Sequence, residues 1–289
     1  MLAKRSRSSS VVSMPCSPLS RLLSLAHLSL IEATPLQLVR TAKAAGFDRA
    51  DLRLSPATPT DRFYGKAELA ELCRALPPLL DDTGLRIWDV EIIRVNDGTK
   101  PGDHLHLMEA AAILGAQRMK LVCDTEDHAR GAEIVGRLCE LAAPFGLTMD
   151  LEYMVFSGVK SLHAALNLVA AADCSNLRVL VDALHWVRAG DIGAIGPAQW
   201  DRLGYVQLCD GPLKGPAGRD ALILEARTER MPPGDGEFPL DQLLEATPPH
   251  CVASVEVPLP SGQEPFAHAK RLREAARILC NRHEQRISS

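Results

Sequence analysis

The feature that most constrains the fold is a regular alternation of strand-like and helix-like segments from Arg21 almost to the C-terminus. Eight short apolar segments are typical of strands, and a helical pattern or a weaker helical piece follows each of them. Strict alternation predicts parallel strands. Eight units fit a closed barrel better than an open sheet, and no G-x-G-x-x-G follows the first strand. The sequence therefore predicts an α/β fold, a parallel eight-stranded (β/α)8 TIM barrel with its active site at the C-terminal strand ends.

Local signals and the two ends of the chain set the expected domain boundaries. Thr34 and Pro35 open the first helical pattern, and Gly46 ends it. Residues 1–20 are rich in serine and basic residues, so we expect a disordered N-terminal extension, with Met14 as an alternative natural start. The barrel is expected to span residues 21–283, which leaves a C-terminal tail over residues 284–289.

Composition argues against several classes of function. The 289 residues are 46% hydrophobic, which is ample for a large core, and a net charge of −4 with 4% aromatic residues argues against nucleic-acid binding. No run of about 18 apolar residues is present, so no membrane span is expected. The 8 cysteines are scattered without a C-x-x-C pair, which favours reduced thiols in a cytoplasmic protein. The expected partner is a small molecule, and homo-oligomer formation is left open.

Acids and amides stand at the ends of the last four predicted strands. The stretch TMDLEYMV places Glu152 at the end of the fifth strand, and VLVDALHW ends the sixth at Asp182, with His185 one turn later. Gln207 lies in the seventh strand, GYVQLCDG, and Glu256 near the end of the eighth, ASVEVP. Crowded carboxylates repel one another unless a cation lies between them. The oxygen ligands predict one divalent metal ion, Mn²⁺ or Mg²⁺, with Co²⁺ as an alternative.

Strand phase indicates further residues at the same mouth. Glu91 on the third strand and Lys120 on the fourth are expected to contact substrate there. His27 and Arg53, on the first two strands, are weaker candidates, since an error of one residue in strand phase turns a side chain to the helix side. Asp210, at the end of the seventh strand, is expected to have a structural role.

Together these residues resemble the xylose-isomerase-like barrel superfamily over roughly residues 21–282. That group includes ketose 3-epimerases, hydroxypyruvate isomerase, inosose dehydratase, 3-dehydroshikimate dehydratase and a DNA-repair endonuclease type. The resemblance implies substrate contacts from His185 and from Arg230, which lies in RMPPGDGEFPL. The family commonly has His where this chain has Gln207, and the dehydratase branches are more similar there. The resemblance implies four metal ligands: Glu152, Asp182, Gln207 and Glu256.

The predicted function follows from paired carboxylates beside a cation. A bound cation acidifies the C–H next to a carbonyl, and Glu152 and Glu256 are expected to remove and return the proton. We therefore expect a metal-dependent isomerase or epimerase of carbohydrate metabolism that acts on a sugar, sugar phosphate or polyol through an enediolate. The alternatives are a lyase of the 3-dehydroshikimate dehydratase or inosose dehydratase type, and a non-catalytic barrel. The DNA-repair type is disfavoured because strands two to four lack its extra His and Glu ligands.

Overall fold

The eight strands form a closed parallel barrel in the order of the sequence. The computed structural model describes residues 21–58 and 61–287. This architecture confirms the predicted (β/α)8 barrel. The strands are β1 (Leu23–Leu25), β2 (Arg49–Arg53), β3 (Arg86–Val95), β4 (Arg118–Cys123), β5 (Thr148–Glu152), β6 (Leu177–Asp182), β7 (Leu203–Leu208) and β8 (Ala253–Val255).

The helices surround the strands and pack their apolar faces on the outside of the barrel. The core between the two layers is continuous and almost entirely aliphatic, as expected for a sheet covered by helices. The described helices are α1 (Pro35–Ala45), α2 (Lys66–Thr83), α3 (Leu105–Ile113), α4 (His128–Ala142), α5 (Leu162–Ala172), α6 (Ala183–Arg188), α7 (Arg219–Thr228), α8 (Leu240–Glu245) and α9 (Pro265–Ile287). Single 3₁₀ turns follow β1 and precede α3 and β7.

The ends of the first helix agree with the sequence signals. The Thr34 side chain accepts a hydrogen bond from the Gln37 amide, and the Gln37 side chain accepts one from the Thr34 amide, which completes a capping box. Gly46 ends the helix with φ of 87°, a left-handed conformation that favours glycine. These local contacts fix the entry and exit of the chain between β1 and β2.

Three segments differ from the sequence prediction. The prolines in KAELAELCRALPPLLDDTG are expected to interrupt this helical pattern, but α2 continues through Pro77 and Pro78. The short helix α6 begins directly at the tip of β6. Helix α7 lies between the predicted strand GYVQLCD and the predicted helix FPLDQLLEA, in a stretch whose glycines and prolines are typical of a long loop. Both are short helices beside glycine- or proline-containing connections, which hid their periodicity. These two unpredicted helices matter because they border the mouth of the barrel.

Polar side chains fill the lower part of the barrel interior. Asp51 accepts hydrogen bonds from the hydroxyls of Ser24, at 2.5 Å, and Ser254. Beside them, the Tyr205 hydroxyl donates to Asp89 Oδ2 at 2.5 Å. Branched apolar residues usually fill this part of such a barrel. In this protein a buried layer of hydrogen-bonded polar groups therefore lies beneath the mouth of the barrel.

The ends of the domain bear on the expected boundaries. The expected extension at residues 1–20 lies outside the described residues. Helix α9 continues to Ile287, so the boundary expected after residue 283 falls inside a helix. In the part of the chain that the structure describes, no helix is both long enough and apolar enough to cross a membrane.

Candidate active site

The four side chains expected as metal ligands lie together at the mouth of the barrel. Glu152 is the last residue of β5, Asp182 is the last residue of β6, and Glu256 directly follows β8. Carboxylate oxygens of these three residues lie within 4.8 Å of one another. Gln207 in β7 adjoins them, because its Nε2 donates to Glu256 Oε1 at 3.1 Å. The barrel thus gathers three acids and one amide in one buried cluster.

Lys120 lies beside this cluster, between two of its acids, Glu152 and Glu256, and the neighbouring Glu91. It points inward from β4 and is 1% exposed. Its Nζ lies 3.3 Å from Glu91 Oε1, 3.4 Å from Glu256 Oε1 and 3.6 Å from Glu152 Oε2. Burial alone lowers the pKa of a lysine, but these three carboxylates raise the pKa of Lys120 well above its usual value. The side chain therefore remains a cation among the acids.

Glu91 is held in place from the other side by Arg53. The Nε and Nη2 atoms of Arg53 donate to Glu91 Oε2 at 3.1 and 2.7 Å. His27 lies behind this pair, where its Nδ1 accepts from the Arg53 amide at 2.8 Å and its Nε2 contacts the Ala33 carbonyl. Arg53 borders the cavity, whereas His27 supports the strand end.

Arg230 reaches the cluster from the segment that follows α7. Its Nη1 donates to Asp182 Oδ2 at 2.6 Å, and its Nη2 lies 3.1 Å from Glu256 Oε2. Burial opposes the charge, but Asp182 and the neighbouring acid raise the pKa of Arg230 well above its usual value. Asp182 also caps α6, since its Oδ1 accepts from the amides of Leu184 and His185 at 2.9 and 3.1 Å. The Asp182 carboxylate therefore caps α6 and also belongs to the acid cluster.

His185 lies on α6 and lines the cavity, as the sequence indicated. Its ring packs edge-on against Phe156, with ring centroids 5.3 Å apart. Nδ1 has no hydrogen-bond partner among the described residues. Burial lowers the pKa of His185 to about 4, so the ring is neutral near pH 7. A neutral imidazole with a free nitrogen suits hydrogen bonding to a substrate oxygen.

The two glutamates have opposite protonation tendencies. Burial and the neighbouring Glu256 raise the pKa of Glu152 to about 8, although Lys120 acts in the other direction. Burial also acts to raise the pKa of Glu256, but Lys120, Arg230 and Arg53 together lower it to about 2. Near pH 7 their surroundings therefore favour the protonated form of Glu152 and the ionised form of Glu256.

Asp210 has the structural role that was expected. Its carboxylate accepts from the amides of Gly211, Gly234 and Phe238 at 2.8–2.9 Å, and its backbone pairs with Met231. These bonds fix the turn in RMPPGDGEFPL. Because Arg230 precedes that turn, Asp210 holds it beside the acids.

The residues present fit a divalent cation. Glu152 Oε2 and Gln207 Oε1 are buried acceptors without a hydrogen-bond partner in the described part of the chain. Both belong to the predicted ligand set, and carboxylate and amide oxygens suit a hard cation. Asp182 and Glu256 would share their remaining lone pairs between the ion and Arg230.

A cavity of about 250 Å³ opens directly above these residues. Four arginines that were not among the predicted site residues line it: Arg53, Arg94, Arg219 and Arg227. Arg53 was considered only as a weaker candidate. Arg219 and Arg227 lie on α7, and the apolar residues in RDALILEARTER are the only sequence signal that could have indicated this helix.

Comparison with known proteins agrees with this architecture. The chain belongs to the xylose isomerase-like TIM barrel family, whose model matches residues 39–281. No curated protein matches the chain significantly. A solved xylose isomerase-like TIM barrel/4-hydroxyphenylpyruvate dioxygenase fusion protein is 19% identical with a TM-score of 0.76, over 93% of this chain and 44% of its own. This chain therefore spans less than half of that fusion protein.

Two further structures with the same fold are enzymes by their description. L-ribulose 3-epimerase is 15% identical with a TM-score of 0.66, over 93% of this chain and 97% of its own. The probable 3-DHS dehydratase AsbF from Bacillus anthracis is 14% identical with a TM-score of 0.64, over 88% of this chain and 98% of its own. At these identities the likeness establishes the fold, and the reaction has to be argued from the site.

Proposed function

We propose that this protein is a divalent-metal-dependent isomerase or epimerase that acts on a small hydroxycarbonyl compound such as a sugar, sugar phosphate or polyol. The observation that carries the proposal is the meeting of Glu152, Asp182 and Glu256 within 4.8 Å at the base of a cavity. The family supports it, and L-ribulose 3-epimerase provides a precedent for this reaction on the same fold.

The residues of the cluster have distinct proposed roles. Glu152, Asp182, Gln207 and Glu256 would hold the ion, which when bound polarises a carbonyl and acidifies the adjacent C–H. Glu152 and Glu256 move the proton, one removing it and the other returning it to the enediolate. Further contacts to substrate oxygens are assigned to His185, Arg230, Lys120 and Glu91.

A lyase that eliminates water is the second candidate, and the position of Lys120 favours it. Elimination starts with the same proton abstraction but also requires a proton donor for the departing hydroxyl group. The Lys120 ammonium lies 3.4 and 3.6 Å from the two proposed bases and remains protonated, whereas His185 is neutral near pH 7. Lys120 is therefore better placed than His185 to stabilise the negative charge that develops on a leaving oxygen.

Solvent exchange distinguishes the two reactions. The protein is loaded with Mn²⁺ and incubated in D₂O with a panel of ketoses and with 3-dehydroshikimate. Deuterium in recovered sugar, detected by mass spectrometry, is the expected result for an isomerase or epimerase. Loss of water with an enone or aromatic product supports the lyase. If the Mn²⁺-loaded protein catalyses neither reaction on the panel, the proposed function is contradicted.

A further inference from the structure

The cavity above the acids is lined by an excess of positive charge. Its wall contains two acids, Glu152 and Glu256, and six basic residues: Arg53, Arg94, Lys120, Arg219, Arg227 and Arg230. The whole chain carries a net charge of −4, so this excess is local and is not a consequence of composition. A cleft with one sign of charge concentrates ligands of the opposite sign.

The basic residues at the base of the cavity are already paired with acids of the barrel. Lys120 lies among three glutamates, and Arg53 is bound to Glu91 at 2.7 Å. Arg230 is bound to Asp182 at 2.6 Å. Their charges are therefore balanced locally, and each would have to lose its ion pair with an acid in order to bind a separate anionic group.

The outer basic residues differ from one another. Arg94 is held by Asp124 at 2.6 Å, and Arg227 is held by Asp61 at 3.1 Å. Arg219 donates to the carbonyl of Phe156 at 3.3 Å and, among the residues described, has no carboxylate within ion-pair distance. Residues 1–20, 59–60 and 288–289 contain no Asp or Glu, so no side chain there supplies one. Arg219 is thus the uncompensated cation of this cavity.

The position of Arg219 connects it with the candidate active site. It is the first residue of α7 and lines the same cavity as Glu152 and Glu256. The carbonyl that it contacts belongs to Phe156, whose ring packs on His185. Arg94 and Arg219 both line this cavity and also a neighbouring one. Two guanidinium groups therefore border the outer end of the space above the acid cluster.

We propose that the substrate carries an anionic group, and that Arg219 binds this group while the hydroxycarbonyl part of the substrate reaches Glu152 and Glu256. A planar guanidinium binds a carboxylate or a phosphate through paired hydrogen bonds, which fixes orientation as well as adding affinity. A cavity of about 250 Å³ is smaller than the pockets typical of drug-sized ligands, so the substrate is small. This inference rests on the proposed function and names the substrate class of the same site.

Binding of matched probes tests the inference without turnover. The probes are D-fructose, D-fructuronate and D-fructose 6-phosphate, which share one ketose skeleton and differ only at the terminal carbon. Binding to the metal-free protein is measured by isothermal titration calorimetry. We expect the wild type to bind at least one charged probe about tenfold more tightly than D-fructose, the size expected for a hydrogen-bonded charged group. The better charged probe identifies the group as carboxylate or phosphate.

The variant Arg219→Gln is expected to remove this preference and to leave the affinity for D-fructose unchanged. Arg219→Lys keeps the charge without the planar fork and should retain part of the preference. Arg40→Gln makes the same charge change at an exposed position on α1, outside the cavity, and should have no effect. Equal affinity for charged and neutral probes in the wild type overturns the inference. An unchanged preference in Arg219→Gln, or an equal loss of D-fructose binding, overturns it as well.

The same variants separate this inference from the proposed function. Preferential binding of a charged probe without deuterium exchange supports the anion site and contradicts the proposed reaction. If deuterium exchanges into D-fructose as efficiently as into the charged probes, and Arg219→Gln does not change this rate, the result supports the reaction and contradicts the anion site.

Discussion

The Glu152→Gln variant is expected to lose activity by about 10³-fold, measured as the rate of deuterium incorporation or of product formation. General acid–base groups contribute on the order of 10²–10⁴-fold to such reactions. Glutamine keeps the size of the side chain but cannot accept the proton. Glu152 lies 3.6 Å from Lys120, and its Oε2 accepts no hydrogen bond from the described residues, so this oxygen is available for proton transfer.

Glu126→Gln provides a matched control for this result. Glu126 is an exposed acid close to the mouth, paired with Lys160 at 2.9 Å, and its replacement should leave the rate unchanged. Metal content of both variants is measured in parallel, because Glu152 is also a proposed ligand. A Glu152→Gln variant that retains activity within tenfold of the wild type contradicts the assignment of this residue as an acid–base group.

The second large effect is expected on stability and arises from Asp51. Burial, together with the nearby Glu91, raises the pKa of Asp51 from its usual value near 3.8 to about 7. The folded state therefore retains a proton that the unfolded chain has already released. The free energy of unfolding therefore decreases as pH rises between about 4 and 7, by about 1.4 kcal/mol for each pH unit. By pH 8 the ionisation of Asp51 has destabilised the folded state by on the order of 4 kcal/mol.

Asp51→Asn should remove this dependence. The amide is neutral at every pH and keeps one acceptor and one donor for the hydroxyls of Ser24 and Ser254. Relative to the wild type, we expect the variant to gain stability between pH 5 and pH 8, measured by urea unfolding in the presence of EDTA. Asp82→Asn, at an exposed position on α2, is the control and should show no such gain. A stability difference for Asp51→Asn that is the same at both pH values contradicts the explanation.

The barrel and the strand-end residues could be predicted from sequence because both depend on local periodicity. Alternating apolar residues placed Glu152 at the end of β5, and the same reasoning placed Asp182 at the end of β6. Parallel strands bring these ends to one mouth whatever the details of the helices. The prediction of clustered acids therefore required only the order of the strands.

The contacts of the basic residues around these acids could not be predicted in the same way. Lys120 meets Glu256 across the barrel, a contact between residues far apart in sequence that depends on closure and on strand register. Arg230 reaches Asp182 because Asp210 fixes the turn that follows Arg230. Arg219 lies on a helix that follows a segment rich in glycine and proline, where sequence periodicity is weak. Each of these contacts is set by tertiary packing rather than by local pattern.

The buried acids in the lower part of the barrel could not be predicted from local sequence either. Asp51 and Asp89 lie within β2 and β3, where both are fully buried although an acid would ordinarily be expected to face solvent. Their burial becomes understandable only with their partners, the two serines around Asp51 and the Tyr205 hydroxyl on Asp89. The residues that supply these hydrogen bonds come from β1, β7 and β8, which no single stretch of sequence reveals.

Binding of Mn²⁺, followed by the loss of the electron paramagnetic resonance signal of the free ion, tests the central claim most directly. The account predicts that the wild type binds one ion per chain and that Asp182→Asn abolishes this binding, because Asp182 lies in the three-acid cluster with Glu152 and Glu256. A wild type that binds no Mn²⁺, or an Asp182→Asn variant that binds it as tightly as the wild type, would contradict the claim that these strand ends hold the ion.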